Sequence, residues 1–243
     1  MSYLEFAEIY DRLMADIPYE DWVDFIKKKI KSRKTILEAA CGTGNITRLL
    51  AEDSYRITAF DLSKEMLVMA YEKLRRYSNV TILNMSMVDF NIDRTFEAVI
   101  CCCDGINYLM TDNEVMGFFS KAYKHLSQEG VFIFDYSTVH KLRNQLGNNT
   151  IVAEEDEIFL VWENTYDNED QTCEMTLNFF VADFNGLYKR IEEYQKQKSY
   201  ESDIIVSMLI EAGFSNIEAF DGYSDRPYES TSERVVFVCK RGE

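Results

Sequence analysis

The run Glu38-Ala39-Ala40-Cys41-Gly42-Thr43-Gly44-Asn45 gathers small residues directly after an apolar stretch and directly before a helix-forming one. Small residues at such a point let the chain turn sharply and let a ligand approach the main chain itself. Asp61 follows 17 residues after Gly44, at the end of the apolar run RITAFD. A carboxylate there can accept hydrogen bonds from both hydroxyls of a ribose and would repel a 2′-phosphate. The competing role for Asp61, capping the next helix, falls more naturally to Ser63. The pair therefore predicts a nucleoside-containing ligand across two strand ends. A third cluster, CCCDGINYL (101–109), closes another apolar run, and Asp104 within it is an acid beside a crevice that needs a ligand or a cap. No phosphate-binding G-x-x-x-x-G-K-[ST] motif occurs, and Thr47 stands where a dinucleotide fingerprint needs its third glycine.

Elements that deliver three turns to one edge are strands alternating with helices. Strands are predicted over 35–40, 56–61, 80–86, 97–103 and 131–136, and helices over 46–52, 63–77 and 113–126. Near-continuous apolar strands of this kind belong to a parallel sheet covered on both faces, a doubly wound α/β domain. Two further strands, SNIEAFDGY and ERVVFVCKR, follow a helix stopped by Gly213, giving a seven-stranded, mostly parallel sheet. Residues 157–166, 173–184 and 187–198 read instead as a small inserted antiparallel sheet, with Met175, Leu177 and Phe179 on one face and a hairpin at Asn185-Gly186. The first 34 residues read as helical, broken at Pro18, with Tyr3, Phe6, Tyr10, Met14, Tyr19 and Trp22 available to cover the crevice. The expected division is a helical cap over 1–34, an α/β domain over 35–148 and 200–243, and an inserted β lid over 149–199.

Taken together, LEAACGTGN and AFDLSKEM resemble the class I S-adenosylmethionine-dependent methyltransferases, and FAEIYDRLMADIPYEDW resembles the opening of their small-molecule members. The resemblance spans residues 35–136 and implies a Rossmann-like fold, S-adenosyl-L-methionine as cofactor and S-adenosyl-L-homocysteine as product. The family's acid-x-Gly-x-Gly-x-Gly signature maps onto Glu38, Ala40, Gly42 and Gly44, with alanine replacing its first glycine. Glu38 would orient the turn near the methionine amino group, Asp61 would hold the ribose, and Leu62 and Met66 would line the adenine. Ser86, with Met87 next, stands where relatives often place an Asp beside the adenine amino group. Cys102 and Cys103 would offer carbonyls to the methionine portion, and Tyr10 would close on the cofactor. Asp104, Asn107, Tyr108 and Tyr194 are candidates for substrate contact, with Asp104 and Tyr10 the candidates for catalysis. Relatives with a similar insert often carry His and Arg where this chain has Gln195 and Lys198, so no histidine mechanism is carried over.

Composition narrows the acceptor. The 243 residues carry 26 Lys+Arg against 42 Asp+Glu, a net charge of −16. Such a chain is poorly suited to phosphate backbones or anionic lipid, which turns the family away from nucleic acid and membrane and toward small-molecule or protein acceptors, of which a small molecule is the one expected. The one basic run, KKKIKSRK (27–34), fits a solvated helix end. Six cysteines form no C-x-x-C pair, and with His125 and His140 the only histidines no metal is expected. Free cysteines and an N-terminus without a basic, apolar leader point to a cytoplasmic protein. The rival expectations are a nicotinamide-dependent oxidoreductase and a nucleoside-binding regulatory module without turnover.

Overall fold

The computed structural model describes residues 3–14, 16–155, 157–183 and 185–242; the side chains of residues 3–5 and 8, Tyr3 among them, lie outside the described set. Helices α1 (Tyr3–Leu13) and α2 (Tyr19–Ile30) flank Pro18. Strand and helix then alternate through β1 (Thr35–Ala39), α3 (Asn45–Glu52), β2 (Arg56–Asp61), α4 (Lys64–Leu74), β3 (Val80–Asn84), β4 (Phe96–Cys101), α5 (Asp112–His125) and β5 (Leu126–Ser137). Next come β6 (Thr150–Glu155), β7 (Ile158–Asp167), β8 (Thr172–Ala182) and β9 (Tyr188–Lys198). The chain ends in α6 (Ser202–Glu211), β10 (Phe214–Asp221) and β11 (Arg234–Arg241).

Seven strands form one sheet in the order β10-β11-β5-β4-β1-β2-β3, parallel except at β11. Alternation along each strand feeds two cores. Leu37, Val99, Phe132 and Phe134 face α5 and α6, while Ile36, Ala98, Ile100 and Ile133 face α2 and α3. Both faces are thus dry, which is why these strands read as unbroken apolar runs. The strand order reverses between β1 and β4, and the crevice beyond their C-terminal ends is where an open α/β sheet receives ligand.

The second sheet, β6-β7-β8-β9, is antiparallel throughout. It holds one strand more than the sequence pattern suggests. β6 is an edge strand whose residues are mostly exposed, so TIVAEE carries no alternation to betray it. Residues 140–146 form a π-helical turn that links the two sheets. Phe6 and Ile9 of α1 pack onto Leu160, Phe179 and Ile191 of this sheet, closing the space between it and the crevice. β4 stops at Cys101 rather than running to 103, because Cys103 and Asp104 adopt left-handed φ values of 61° and 64°. No described helix is long and apolar enough to cross a membrane.

Candidate active site

The glycine turn leaves β1 through three left-handed residues, Ala40, Gly42 and Gly44, with φ of 53°, 55° and 80°. A side chain at Gly42 would stand in open space, so its main chain lies bare to the crevice. One at Gly44 would meet the Leu74 Cδ1 of α4 at 2.9 Å. The turn is fastened to β2: Gly42 N–H donates to Asp61 Oδ2 at 2.8 Å, and Ser63 N–H donates to Oδ1 at 2.9 Å. Ser63 Oγ accepts from Met66 N–H and caps α4, as its position predicts. Asp61 is therefore free of capping duty, and each of its oxygens keeps a lone pair for a ligand hydroxyl. Beside it Leu62 is 71% exposed, an apolar surface without a protein neighbour to cover it. A bare turn, a carboxylate at a strand tip and an uncovered apolar residue fit an adenosine-bearing cofactor.

Glu38 is buried beneath the turn, where Thr47 Oγ1 donates to its Oε2 at 2.7 Å. Thr47 thus has a packing duty at the place of the missing third glycine. Burial pushes the Glu38 carboxyl up to about 8, against the lowering effect of Thr47. Between the ordinary value of 4.5 and 8, the folded chain keeps a proton that the unfolded chain has released. Stability therefore falls as pH rises through that window and levels off above it, a cost on the order of 5 kcal/mol when Glu38 is fully ionised. Glu38→Gln keeps the bond to Thr47 and is expected to remove that slope. Melting temperatures at pH 5, 7 and 9 check it: the variant gains on the wild type between pH 5 and about 8 and little beyond, and parallel curves would contradict the burial argument.

Helix α1 is clasped onto the turn through Asp11. Its Oδ1 accepts from Thr43 Oγ1 at 2.6 Å and from Asn45 Nδ2 at 3.2 Å, and its Oδ2 pairs with Lys73 Nζ of α4 at 2.8 Å. Tyr10 consequently lies over the crevice, and burial holds its hydroxyl well above the usual tyrosine value, a donor rather than a base.

At the end of β4, the Cys103 and Asp104 N–H groups donate to the two oxygens of Asp135, at 3.1 and 2.7 Å. Arg234 Nη1 stands 2.8 Å from Asp104 Oδ1 and 3.0 Å from Asp135 Oδ1. Ser137 Oγ also donates to Asp104. Against its burial, the Arg234 guanidinium holds the Asp104 carboxyl below the usual range. A carboxylate so held is a weak proton acceptor.

These pieces border one cavity of about 1070 Å³. Tyr10, Glu38, Ala40, Gly42, Asp61, Leu62, Met66, Ser86, Met87, Cys102, Cys103, Asp104 and Tyr108 all line it. Gly44 sits behind the turn at the start of α3. Asn107 and Tyr194 do not reach it. Asn107 is fully buried, its amide donating to the Ser137 and Lys198 carbonyls. Tyr194 is 56% exposed on the outer face of β9. The cavity wall includes residues that sequence reasoning missed, Leu160, Trp162, Glu193 and Gln197 of the second sheet and Arg234, and also Gln195, which stands where relatives often carry a histidine. Neither histidine joins it. His125 receives the Ile92 N–H and bonds the Lys121 carbonyl, and His140 pairs with Asn144. Among the described residues no cluster of His, Cys, Asp and Glu is arranged to hold a metal ion.

Residues 36–130 match the family described as "Methyltransferase domain". The crystal structure of an S-adenosylmethionine-dependent methyltransferase from Clostridium acetobutylicum is 34% identical, covers 99% of each chain and superposes with a TM-score of 0.89. A provisionally named methyltransferase of Bacillus subtilis (strain 168), YqeM, is 31% identical over 100% of this chain and 98% of its own length. The glycine/sarcosine N-methyltransferase of Aphanothece halophytica is 24% identical over 90% and 81% of the two lengths. These relationships set the oxidoreductase alternative aside. With the glycine turn, Asp61 and the sheet order in place, the chain belongs to the class I S-adenosylmethionine-dependent methyltransferases.

Proposed function

We propose that the chain transfers a methyl group to a small-molecule acceptor held between α1 and the second sheet, by in-line displacement. The observation that carries this reading is the continuity of the cavity. It runs from the glycine turn and Asp61 to the inner face of β6–β9 and is roofed by Phe6, Tyr10 and Leu13 of α1 and by Met14 just beyond it. Its volume stands at the upper end of small-molecule sites, about 300–1,000 Å³, which suits two ligands side by side. The far wall is made of side chains of the second sheet, among them Leu160, Trp162 and Leu177.

The bound cofactor supplies a methyl on a positively charged sulfur, which needs alignment more than activation. The residues present supply that alignment. Asp61 would hold the ribose, with Leu62 and Met66 against the adenine and Ser86 and Met87 at its edge. Glu38 and the bare Gly42 main chain would keep the methionine portion in place, beside the carbonyls of Cys102 and Cys103. The aromatic roof excludes water and leaves an apolar passage in which a nucleophile approaches near 3 Å. The relative that acts on glycine and sarcosine supports an acceptor of small size.

The test is hydrogen exchange of residues 6–14 with and without S-adenosylhomocysteine, beside a titration of the wild-type chain with both cofactor forms. Bound cofactor is expected to slow exchange across α1 at least tenfold, because Asp11 ties this helix to the turn that the cofactor orders. Exchange indifferent to cofactor would remove α1 from the site, and absence of binding would overturn the reading as a whole.

A further inference from the structure

The acceptor end of the cavity carries charge of one sign. Among the described lining residues Arg234 alone is positive, and its guanidinium is committed to Asp104 and Asp135. Two carboxylates of the second sheet face the same space, Glu155 on β6 and Glu193 on β9. A third, Glu114, is occupied in capping α5. Glu193 lies half-buried on the inward side of β9, where Gln195 Nε2 donates to its Oε1 at 2.7 Å. Burial raises its carboxyl above the ordinary glutamate value, and only the Gln195 bond acts in the other direction; no cation contributes. The Tyr108 side chain reaches Gln197, four residues beyond Glu193 on the same face of β9. The apolar walls here include the rings of Tyr10, Tyr108 and Trp162.

A half-buried carboxylate without a counter-charge, set among aromatic faces, attracts a cation and repels an anion. Building on the methyltransferase reading, we propose that the acceptor is an amine, bound as its ammonium with Glu193 as counter-charge and the aromatic rings around its carbon skeleton. Before the nitrogen can act as nucleophile, one proton passes from the ammonium to the Glu193 carboxylate, leaving a neutral amine with a free lone pair and a neutral carboxyl. A carboxylate-bearing or phosphorylated acceptor meets Glu193 and Glu155 and is rejected at this end.

The experiment is calorimetry at pH 7 on the chain saturated with S-adenosylhomocysteine, using benzylamine, benzyl alcohol and benzoate as probes of equal shape and different charge. Benzylamine is expected to bind at least tenfold more tightly than benzyl alcohol, with benzoate weakest. Glu193→Gln is expected to weaken benzylamine about tenfold, leaving benzyl alcohol and S-adenosylhomocysteine unchanged. Equal binding of the three probes to the wild type would overturn the proposal, whatever the variant does. So would benzylamine affinity indifferent to the loss of Glu193. Failure of S-adenosylhomocysteine to bind would instead strike at the methyltransferase site on which this inference rests, so the two failures are told apart.

Discussion

Asp61→Ala is expected to raise the dissociation constant for S-adenosylmethionine about a hundredfold in a calorimetric titration. The side chain does two jobs at once. It anchors the Gly42 and Ser63 N–H groups, which fixes the glycine turn against the tip of β2, and in the proposed site its remaining lone pairs would accept from the ribose hydroxyls. Hydrogen bonds to a charged acceptor contribute about 1.5–3 kcal/mol each, so losing a pair of ribose contacts reaches a hundredfold before the slackened turn is counted. Asp61→Asn separates the contributions. An amide can keep one acceptor oxygen, but its NH₂ group then faces an N–H donor that the carboxylate had satisfied. It is expected to fall between wild type and alanine in affinity, with a smaller loss of melting temperature than alanine. Unchanged affinity in Asp61→Ala would sink the assignment of the ribose contact.

The cofactor half of the cavity was legible in the sequence because it is built from short-range devices. A left-handed turn needs small residues, a strand tip needs its acid, and a helix needs its cap; LEAACGTGN and AFDLSKEM write these out within a few positions of one another. The acceptor half is assembled from residues far apart in the chain. Arg234 and Asp104 meet across 130 positions. One signal did exist: Asp135 is an acid inside the apolar strand VFIFDY, where a charge cannot stay unpaired. That pointed to a buried partner without naming it. Tyr194 is a candidate contact by sequence, but Ile191, the buried apolar residue of β9, sets odd-numbered positions inward and so favours Glu193, Gln195 and Gln197. A single apolar residue among polar ones is a thin register mark. Asn107 shows the opposite ambiguity, since a short amide near a crevice serves equally to bind a ligand or to stitch the backbone. Here it joins the turn after β4 to β5 and β9. The clasp at Asp11 could not be read at all, because it exists only once α1 has folded over the glycine turn.

The largest loss of stability is expected at Arg234, the residue that neither motif nor spacing revealed. Arg234→Met keeps much of the apolar stem but leaves Asp104 and the fully buried Asp135 without their shared cation. Removing one partner from a buried ionic cluster costs about 3–5 kcal/mol, which for a chain of this size lowers the melting temperature by about 10 °C. Part of the loss also comes from contacts the guanidinium makes with Trp22, whose ring lies 5.0 Å beneath it and stacks on Tyr223. The pH dependence separates charge from packing. Buried carboxylates without a counter-charge hold protons more tightly folded than unfolded, so the deficit of the variant narrows toward pH 5 and widens toward pH 8. A deficit independent of pH would mean that packing against Trp22 carries the effect. Asp135→Asn in the Arg234→Met background removes one uncompensated charge and is expected to recover part of the lost melting temperature. The double variant is expected to bind the cofactor less tightly than Arg234→Met, because the Cys103 and Asp104 N–H groups then lose a charged acceptor and the left-handed turn at the end of β4 is no longer held against the crevice. Recovery of stability together with weaker binding is the outcome that assigns Asp135 to positioning the strand end.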